Sequence, residues 1–216
     1  MKITGLRKSY DGKTVLNIEA LELEKGLIYA VIGANGCGKS TMAKLISGVL
    51  KSDDKIGFSE KVSIGYLPQK PYGFNMSLEK NMNIAGTDTA RRDELLSLLK
   101  IDELKNENAK KLSGGELSRM ALARVMMRDC DLLILDEPTA SMDVESTLLA
   151  EDAVRAYVER TGATVIVITH ELNEAKRLSD RVIYLEKGEL VEIGERDKAL
   201  SSPADERTRR YIEFYK

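Results

Sequence analysis

Cysteine is scarce in this sequence, which contains only Cys37 and Cys130. The two residues are far apart, and no further cysteine pair or histidine cluster accompanies either one, which argues against a disulfide framework and a zinc site. Cys130 precedes an apolar run and is interpreted as a core residue. Cys37 lies in a glycine-rich loop, where two alternatives stay open: a small residue that the loop tolerates, or a thiol activated at a helix N-terminus.

Long apolar runs and clusters of positive charge are also missing from the sequence. No apolar stretch approaches the roughly 18 residues that a membrane-spanning helix needs, and the first residues lack the apolar core of a signal peptide. We therefore expect a cytoplasmic protein. The formal net charge is -2, and lysine and arginine are spread along the chain. Nucleic acid is accordingly not an expected partner.

The composition that is present supports one globular domain, because the 216 residues are 43% hydrophobic and 31% charged. Short β-branched runs alternate with helical segments, which is typical of an α/β fold with a mostly parallel sheet covered by helices. Residues 132–135 and 165–168 are apolar at every position. These two runs therefore predict strands that are buried on both faces.

Two further patterns modify this α/β core. Asp11-Gly12 and Lys187-Gly188 are turn signals, and they predict antiparallel hairpins near the N-terminus and over residues 182–193. From residue 70 to residue 129, helix-forming residues replace the β pattern. We predict a single domain over residues 1–216, with a core of residues 1–69 and 130–216 that includes an antiparallel β edge. Residues 70–129 form an inserted α-helical subdomain, and residues 205–216 an amphipathic terminal helix.

A glycine-rich motif, GANGCGKST at residues 33–41, follows an apolar strand and opens a helix. It fits the phosphate-loop pattern G-x-x-x-x-G-K-[ST], whose glycines let backbone N–H groups surround phosphate oxygens at a helix N-terminus. Lys39 is expected to reach the β- and γ-phosphates, and Ser40 to coordinate Mg²⁺. The alternative, a turn without a ligand, leaves the Lys-Ser pair unexplained. The predicted nucleotide-binding residues of this loop are Gly33, Asn35, Gly36, Cys37, Gly38, Lys39, Ser40 and Thr41.

Two adjacent carboxylates end the apolar run LLILDEP. Ligands collect at the carboxyl ends of parallel strands, so Asp136 is predicted to bind Mg²⁺ and Glu137 to act as the base that polarises an attacking water. Alternation along a strand would point the two side chains in different directions. The structural alternative is a pair of acids that begins a turn before Pro138.

His170 and Gln69 follow two other predicted strands. His170 is the only histidine of the chain, and we predict that it contacts the γ-phosphate rather than packing in the core. Gln69 is predicted to bind Mg²⁺ and water, and the alternative is a surface amide. The predicted catalytic residues are therefore Glu137, His170 and Gln69, and the predicted metal ligands are Ser40, Gln69 and Asp136.

The motif LSGGE at residues 112–116 separates this chain from other phosphate-loop ATPases. Ser113 offers a hydroxyl and the next two glycines offer backbone N–H groups at a helix start, which gives a second anion site. The alternative is a capped helix without a ligand. Together with the phosphate loop, Gln69, Asp136-Glu137 and His170, this motif resembles the ATP-binding-cassette (ABC) family over nearly the whole chain.

The resemblance implies an ABC ATPase domain that hydrolyses MgATP. It implies a head-to-tail homodimer in which each signature closes over the ATP of the other subunit. In that dimer the residues that act across the interface are Ser113, Gly114, Gly115 and Glu116, and Asp143 belongs to a turn at the interface. The resemblance also implies that Tyr10 stacks on adenine.

The resemblance further implies a transport role at the inner face of the cell membrane, with transmembrane permease subunits and an extracytoplasmic solute-binding protein as partners. Residues 103–111 lack an element that many exporters carry before the signature, which favours an importer. Tyr72, Phe74 and Met76 either dock a permease helix or fill the core. The substrate stays open between an oxyanion such as tungstate and a polar amino acid.

Two other functions are weighed against transport. A non-transport ABC ATPase that works as a mechanical switch on nucleic acid would usually carry a coiled-coil insertion, a second cassette or a basic surface, and the sequence has none of these. A small-molecule kinase on a phosphate-loop fold would leave LSGGE and Glu137 unexplained.

Overall fold

Two β-sheets and the helices around them make up the chain in the computed structural model, which describes residues 1–215. The strands are β1 (Lys2–Tyr10), β2 (Lys13–Glu22), β3 (Ile28–Ile32), β4 (Gly57–Phe58), β5 (Ile64–Leu67), β6 (Leu132–Asp136), β7 (Thr164–Ile168), β8 (Arg181–Glu186) and β9 (Glu189–Glu195). The α-helices are α1 (Lys39–Ile46), α2 (Leu78–Asn83), α3 (Thr89–Leu98), α4 (Gly114–Met126), α5 (Val144–Thr161), α6 (Leu172–Leu178), α7 (Arg196–Ser201) and α8 (Glu206–Tyr215).

The larger sheet has the strand order β5-β6-β7-β3-β8-β9. Its first five strands are parallel, and β9 pairs with β8 in the antiparallel direction. The smaller sheet, β2-β1-β4, is antiparallel. In both hairpin turns the two central residues have positive φ, 49° and 77° at Asp11-Gly12 and 49° and 84° at Lys187-Gly188, a geometry that matches the twist of the strands. Both predicted hairpins are confirmed.

The strands β3, β6 and β7 are buried at every position. Alternate residues of β6 enter different cores, because successive side chains of a strand point to opposite faces. Leu133 and Leu135 pack with residues of α3, α4 and α5, whereas Leu132 and Ile134 pack with residues of α1, β1 and β2. The central sheet therefore joins the helical insertion on one face to the N-terminal sheet on the other.

The helical insertion consists of α2, α3 and α4 and lies between β5 and β6 in the sequence. Helix α4 begins with a capping box, in which the Ser113 side chain accepts from the Glu116 N–H and the Glu116 carboxylate accepts from the Ser113 N–H. Helix α5 has Asp143 as its N-cap and ends at Gly162, whose φ is 68°.

The predicted fold class is confirmed: a mostly parallel sheet, an antiparallel sheet and inserted helices. The predicted terminal helix corresponds to α8, and its last predicted residue, Lys216, lies outside the described residues. None of the helices within residues 1–215 is long and apolar enough to cross a membrane.

Candidate functional site

The phosphate loop connects β3 to α1 and has the left-handed backbone that its glycines allow. The φ angles are 149° at Gly33, 79° at Gly36 and 111° at Gly38. A Cβ atom at Gly33 would lie 2.2 Å from the carbonyl oxygen of Leu185, and one at Gly38 would lie 2.8 Å from Leu16 Cδ1. Both positions therefore require glycine for their backbone angles and for close packing against the neighbouring chain.

Lys39 lies inside the curve of this loop and is 6% exposed. Its ammonium group donates to the carbonyl oxygens of Gly33 at 2.7 Å and of Ala34 at 3.2 Å. These bonds hold a positive charge at the centre of the loop, beside the N-terminus of α1, which also favours negative charge. The loop is thus built to bind an anion such as a chain of phosphates.

Cys37 occupies the same loop, but its side chain points into the core formed by α1, β1 and β2. The thiol is buried, and burial raises its pKa. A raised pKa disfavours the thiolate, so the geometry favours a small residue tolerated by the loop over an activated thiol. The Cys37 carbonyl accepts from the Gly188 N–H at 2.8 Å, which anchors the loop to the turn between β8 and β9.

Ser40 and Asp136 face each other where α1 meets the end of β6. The Ser40 hydroxyl donates to Asp136 Oδ1 at 3.0 Å, and the Tyr66 hydroxyl donates to Oδ2 at 3.4 Å. Burial raises the pKa of Asp136, although the hydrogen bond from Ser40 opposes this shift. A hydroxyl beside a carboxylate is an oxygen donor set that suits Mg²⁺, which keeps several waters and binds few protein ligands. In residues 1–215 no group of three or more His, Cys, Asp or Glu side chains forms a metal cage.

Glu137 lies just beyond the end of β6, with a left-handed φ of 51°. Its N–H donates to the carbonyl of Ile168 at 3.0 Å, and its carboxylate accepts from Gln69 Nε2 at 2.9 Å. The sequence predicted that alternation along one strand would point Asp136 and Glu137 in different directions. This reason is wrong, because Glu137 does not belong to the strand. The strand ends at Asp136, and the two side chains bond to different partners, Asp136 to Ser40 and Glu137 to Gln69.

His170 completes this group of polar side chains. Its Nδ1 lies 3.8 Å from Glu137 Oε1, and half of its side chain is exposed. Together these residues border an open pocket of about 460 Å³. The pocket is lined by Val15, Asn35, Gly36, Gly38, Lys39, Ser40, Thr41, Gln69, Glu137 and His170. The structure thus brings the predicted catalytic side chains to the predicted phosphate loop.

Several predicted site residues lie outside the lining of this pocket. Gly33 and Cys37 form its supporting backbone, and Asp136 lies behind Ser40. Tyr10 is half-exposed at the end of β1, with Lys8 Nζ 5.5 Å from its ring centroid. Its ring is free to stack on a planar group that extends beyond the pocket.

The signature residues form a separate surface at the start of α4. The Ser113 hydroxyl donates to the Glu116 carboxylate at 2.7 Å, and this bond is the main cause of a lowered Glu116 pKa. None of the residues from Ser113 to Glu116 lines the phosphate pocket of the same chain. The surface is an N-terminal helix end with a bare Gly114-Gly115 backbone, which suits an anion brought by another molecule.

Asp143 joins this signature surface to helix α5. Its side chain accepts from the Ser146 N–H at 2.7 Å. The Ser146 hydroxyl in turn accepts from the Arg119 guanidinium of α4. A Cβ atom at Gly115 would lie 3.2 Å from the Ser141 carbonyl oxygen, so the turn that contains Asp143 packs directly on the signature.

Sequence reasoning missed some residues at the site. Val15 lines the pocket from β2, and Tyr66 reaches Asp136 from β5. The only signal for Tyr66 is its place three residues before Gln69, on a strand that ends at the same sheet edge. Thr139 and Glu174, whose side chains form a hydrogen bond with each other, carry no motif that singles them out.

Comparison with known proteins identifies the family of this chain. The family model described as ABC transporter matches residues 16–140. The tungstate uptake system ATP-binding protein TupC of Peptoclostridium acidaminophilum is 38% identical over 210 residues, which cover 90% of this chain and 97% of that protein. The phosphate import ATP-binding protein PstB 2 of Natronomonas pharaonis is 30% identical and covers 98% of this chain and 86% of its own length.

A solved structure is similar over most of the chain. This structure is cbiO1 from Clostridium perfringens, part of the ABC transporter complex cbiONQ, with a TM-score of 0.79 and 26% identity. The match covers 93% of this chain and 90% of cbiO1. By sequence and by fold, the chain therefore belongs to the ABC transporter family, as a subunit that binds and hydrolyses ATP.

Proposed function

We propose that this chain hydrolyses MgATP as a head-to-tail homodimer and thereby drives uptake of a small oxyanion through a membrane permease. The observation that carries the proposal is the group formed by Lys39, Gln69, Glu137 and His170 around one pocket. Residues 1–216 act as a single ABC ATPase domain, with residues 70–129 as the signature subdomain. The chain lies at the cytoplasmic face of the membrane through its permease.

Hydrolysis begins when the γ-phosphate of ATP lies against Lys39 and the phosphate-loop N–H groups. Glu137 orients a water molecule and takes its proton as the water oxygen bonds to the γ-phosphorus. The bond between that phosphorus and the bridging oxygen of ADP breaks, and the products are ADP and inorganic phosphate. Gln69 holds the Glu137 carboxylate, and His170 contacts the γ-phosphate oxygens.

Mg²⁺ neutralises phosphate charge when it is bound with ATP. Ser40, Asp136 and Gln69 are the residues that would hold it, directly or through water. The Ser40 hydroxyl is aligned by its bond to Asp136, so the two oxygen ligands lie side by side.

A second copy of the chain supplies the signature residues that the phosphate pocket of one chain lacks. The signature surface from Ser113 to Glu116 lies outside the chain's own phosphate pocket, yet its helix N-terminus suits a phosphate. A two-fold dimer gives each pocket the signature of the other chain, with Asp143 at the interface and Tyr10 stacked on adenine. Two ATP molecules are then enclosed between two identical subunits.

The permease docks on a surface formed by Tyr72 and Phe74, which are 54% and 41% exposed. Their rings are 5.1 Å apart in an edge-to-face arrangement. The loop that carries them is fixed by the fully buried Asn81, whose amide accepts from the Phe74 N–H at 2.8 Å and donates to the carbonyls of Phe74 and Met76, both at 3.1 Å. An ordered pair of exposed aromatic rings is well suited to a partner helix.

This docking surface borders a groove between β5 and α4 of about 460 Å³. Arg124 of α4 donates to the carbonyl of Tyr72 at 2.7 Å, which connects the loop to the signature helix. Gln69 precedes the same loop by a few residues. A permease helix seated here contacts both the element that senses the γ-phosphate and the helix that begins with the signature.

The docking surface is tested with permease subunits in detergent. Tyr72→Ala/Phe74→Ala should weaken capture of the permease at least about tenfold, because central aromatic anchors often contribute about 2 kcal/mol or more each. Phe214→Ala is the matched control, since Phe214 is an 81% exposed aromatic residue on α8, outside the loop that carries Tyr72 and Phe74. Unchanged capture by the double variant would contradict this docking surface.

Uptake of an oxyanion is supported by the two relatives described above, whose names refer to tungstate and phosphate. The importer class also agrees with residues 103–111, which lack the exporter-type element. The test uses the complex of this chain with its permease and binding protein in lipid vesicles. Tungstate added with the binding protein should stimulate ATP hydrolysis, and a response only to a polar amino acid would identify the other substrate class and contradict the oxyanion.

A further inference from the structure

Glu174 is an ionisable side chain of α6 that is 2% exposed. The Thr139 hydroxyl donates to its Oε1 at 2.7 Å. Burial raises the pKa of the Glu174 carboxyl, and the nearby Thr169 and Thr139 side chains oppose this rise. A buried carboxyl is stable only when its oxygens are hydrogen-bonded. The Thr139 hydroxyl and the Glu174 carboxyl therefore hold each other in fixed positions.

The two threonines belong to the loops that carry Glu137 and His170. Thr139 is two residues after Glu137, and Thr169 directly precedes His170. Glu137 has a φ of 51°, a conformation that persists only where surrounding contacts hold it. The bond from Thr139 to Glu174 is one such contact in the Glu137 loop. At this loop, Glu137 Oε1 and His170 Nδ1 are 3.8 Å apart.

We propose that Glu174 is a positioning residue for ATP hydrolysis, which sets the separation of Glu137 and His170 through its bond to Thr139 in the Glu137 loop and its place on α6, the helix that follows the His170 loop. Glu174 does not line the phosphate pocket, so it acts only through the two loops. The inference rests on the roles proposed above for Glu137 and His170. One carboxyl group thus ties the loop after β6 to α6, the helix that directly follows the His170 loop.

Glu151 provides a matched control for this role. It is 3% exposed and belongs to α5, and its carboxylate accepts from Arg177 of α6 at 2.6 Å and 3.0 Å. It is therefore another buried carboxyl between these helices, but it makes no hydrogen bond to either catalytic loop. Glu151→Ala should lower the melting temperature and leave kcat within about twofold of the parent.

The kinetic test compares variants that remove or keep the bond to Thr139. Glu174→Ala and Thr139→Val should each lower kcat at least about tenfold with the KM for ATP within about twofold, because a 1 Å misplacement of a catalytic group can cost about a hundredfold. Glu174→Gln keeps an oxygen that accepts from Thr139 and should retain most of kcat. The double variant Glu174→Ala/Thr139→Val should be only as slow as Glu174→Ala, because the two changes break the same contact.

A second readout needs neither nucleotide nor activity. His170 is the only histidine, so its imidazole signals in an NMR spectrum require no assignment. Glu174→Ala should shift or broaden these signals in the nucleotide-free protein, whereas Glu174→Gln and Glu151→Ala should not. If Glu174→Ala proves unfolded, Thr139→Val gives the same test at a less buried position.

Three results would overturn the proposal. They are a parent-like kcat and imidazole spectrum in both Glu174→Ala and Thr139→Val, equal losses in Glu151→Ala, and losses that multiply in the double variant. A failure of the proposed catalytic role looks different. In that case the imidazole signals respond to Glu174→Ala, while Glu137→Gln hydrolyses ATP like the parent.

Discussion

Replacing Glu137 by glutamine should nearly abolish hydrolysis while leaving the binding of MgATP intact. The carboxylate accepts one hydrogen bond from Gln69 Nε2 at 2.9 Å, and a glutamine oxygen can accept the same bond. Only the capacity to take a proton is lost. General-base catalysis contributes about 10² to 10⁴ in rate, or about 3 to 5 kcal/mol of barrier.

The contact between Gln69 and Glu137 also limits how much the substitution can change the stability of the folded protein. If the new amide turned its NH₂ group toward Gln69, one hydrogen bond worth about 1 kcal/mol would be lost. The amide should therefore keep its oxygen toward Gln69. The left-handed backbone of Glu137 suits glutamine about as well as glutamate, so we expect a melting temperature within a few degrees of the parent.

The assay combines phosphate release with gel filtration in the presence of MgATP. Glu137→Gln should release phosphate at least about a hundredfold more slowly and should elute as a dimer, because closed subunits no longer reopen after hydrolysis. Glu171→Gln is the matched control: it makes the same chemical change beside His170, at an exposed side chain outside the pocket lining. A monomeric Glu137→Gln variant with the parent rate would refute the reasoning.

Three further predictions concern binding, the shared site and the loop backbone. Tyr10→Ala should weaken ATP and GTP alike in calorimetry, because stacking depends on the flat face of the base; a loss for one base alone would contradict stacking. The Ser113→Arg variant should bind ATP nearly normally and fail to hydrolyse it. Mixing it with the Lys39→Ala variant should restore part of the activity, since one site of a mixed dimer carries neither change. Loss of ATP binding by the Ser113→Arg monomer would refute the shared site. The Gly33→Ala variant should lose about 1 to 3 kcal/mol of stability in urea unfolding, because φ is 149° and a Cβ atom would lie 2.2 Å from the Leu185 carbonyl oxygen. Unchanged stability would mean that the loop has a different backbone conformation.

The sequence predicts those parts of the molecule that local pattern determines. The phosphate loop, the buried strands and both hairpins follow from glycine placement, apolar runs and two-residue turns, each of which acts over a few neighbouring residues. The meeting of Gln69, Glu137 and His170 also follows, because the carboxyl ends of parallel strands share one sheet edge.

Contacts between distant segments were not predictable in this way. The direction of Glu137 depends on a positive φ that is held by Ile168 and Gln69, and no local pattern reveals such an angle for a non-glycine residue. The bond between Thr139 and Glu174 joins residues 35 positions apart. Thr139 and Glu174 are common residue types at unremarkable positions, so only the folded chain makes their pairing visible.

The contact of Arg119 with Ser146 joins the signature helix to the helix that Asp143 caps. In the proposed dimer the signature of one subunit contacts the ATP held by the other subunit. The turn that contains Asp143 lies beside this signature, at the interface between the two subunits. We therefore expect ATP bound in one pocket of that dimer to change the affinity of the second pocket through this connection. Thermodynamic linkage then requires the second ATP to act back on the first by the same factor. The two ATP molecules of the dimer should accordingly bind cooperatively, and Arg119→Ala should bring their Hill coefficient towards one.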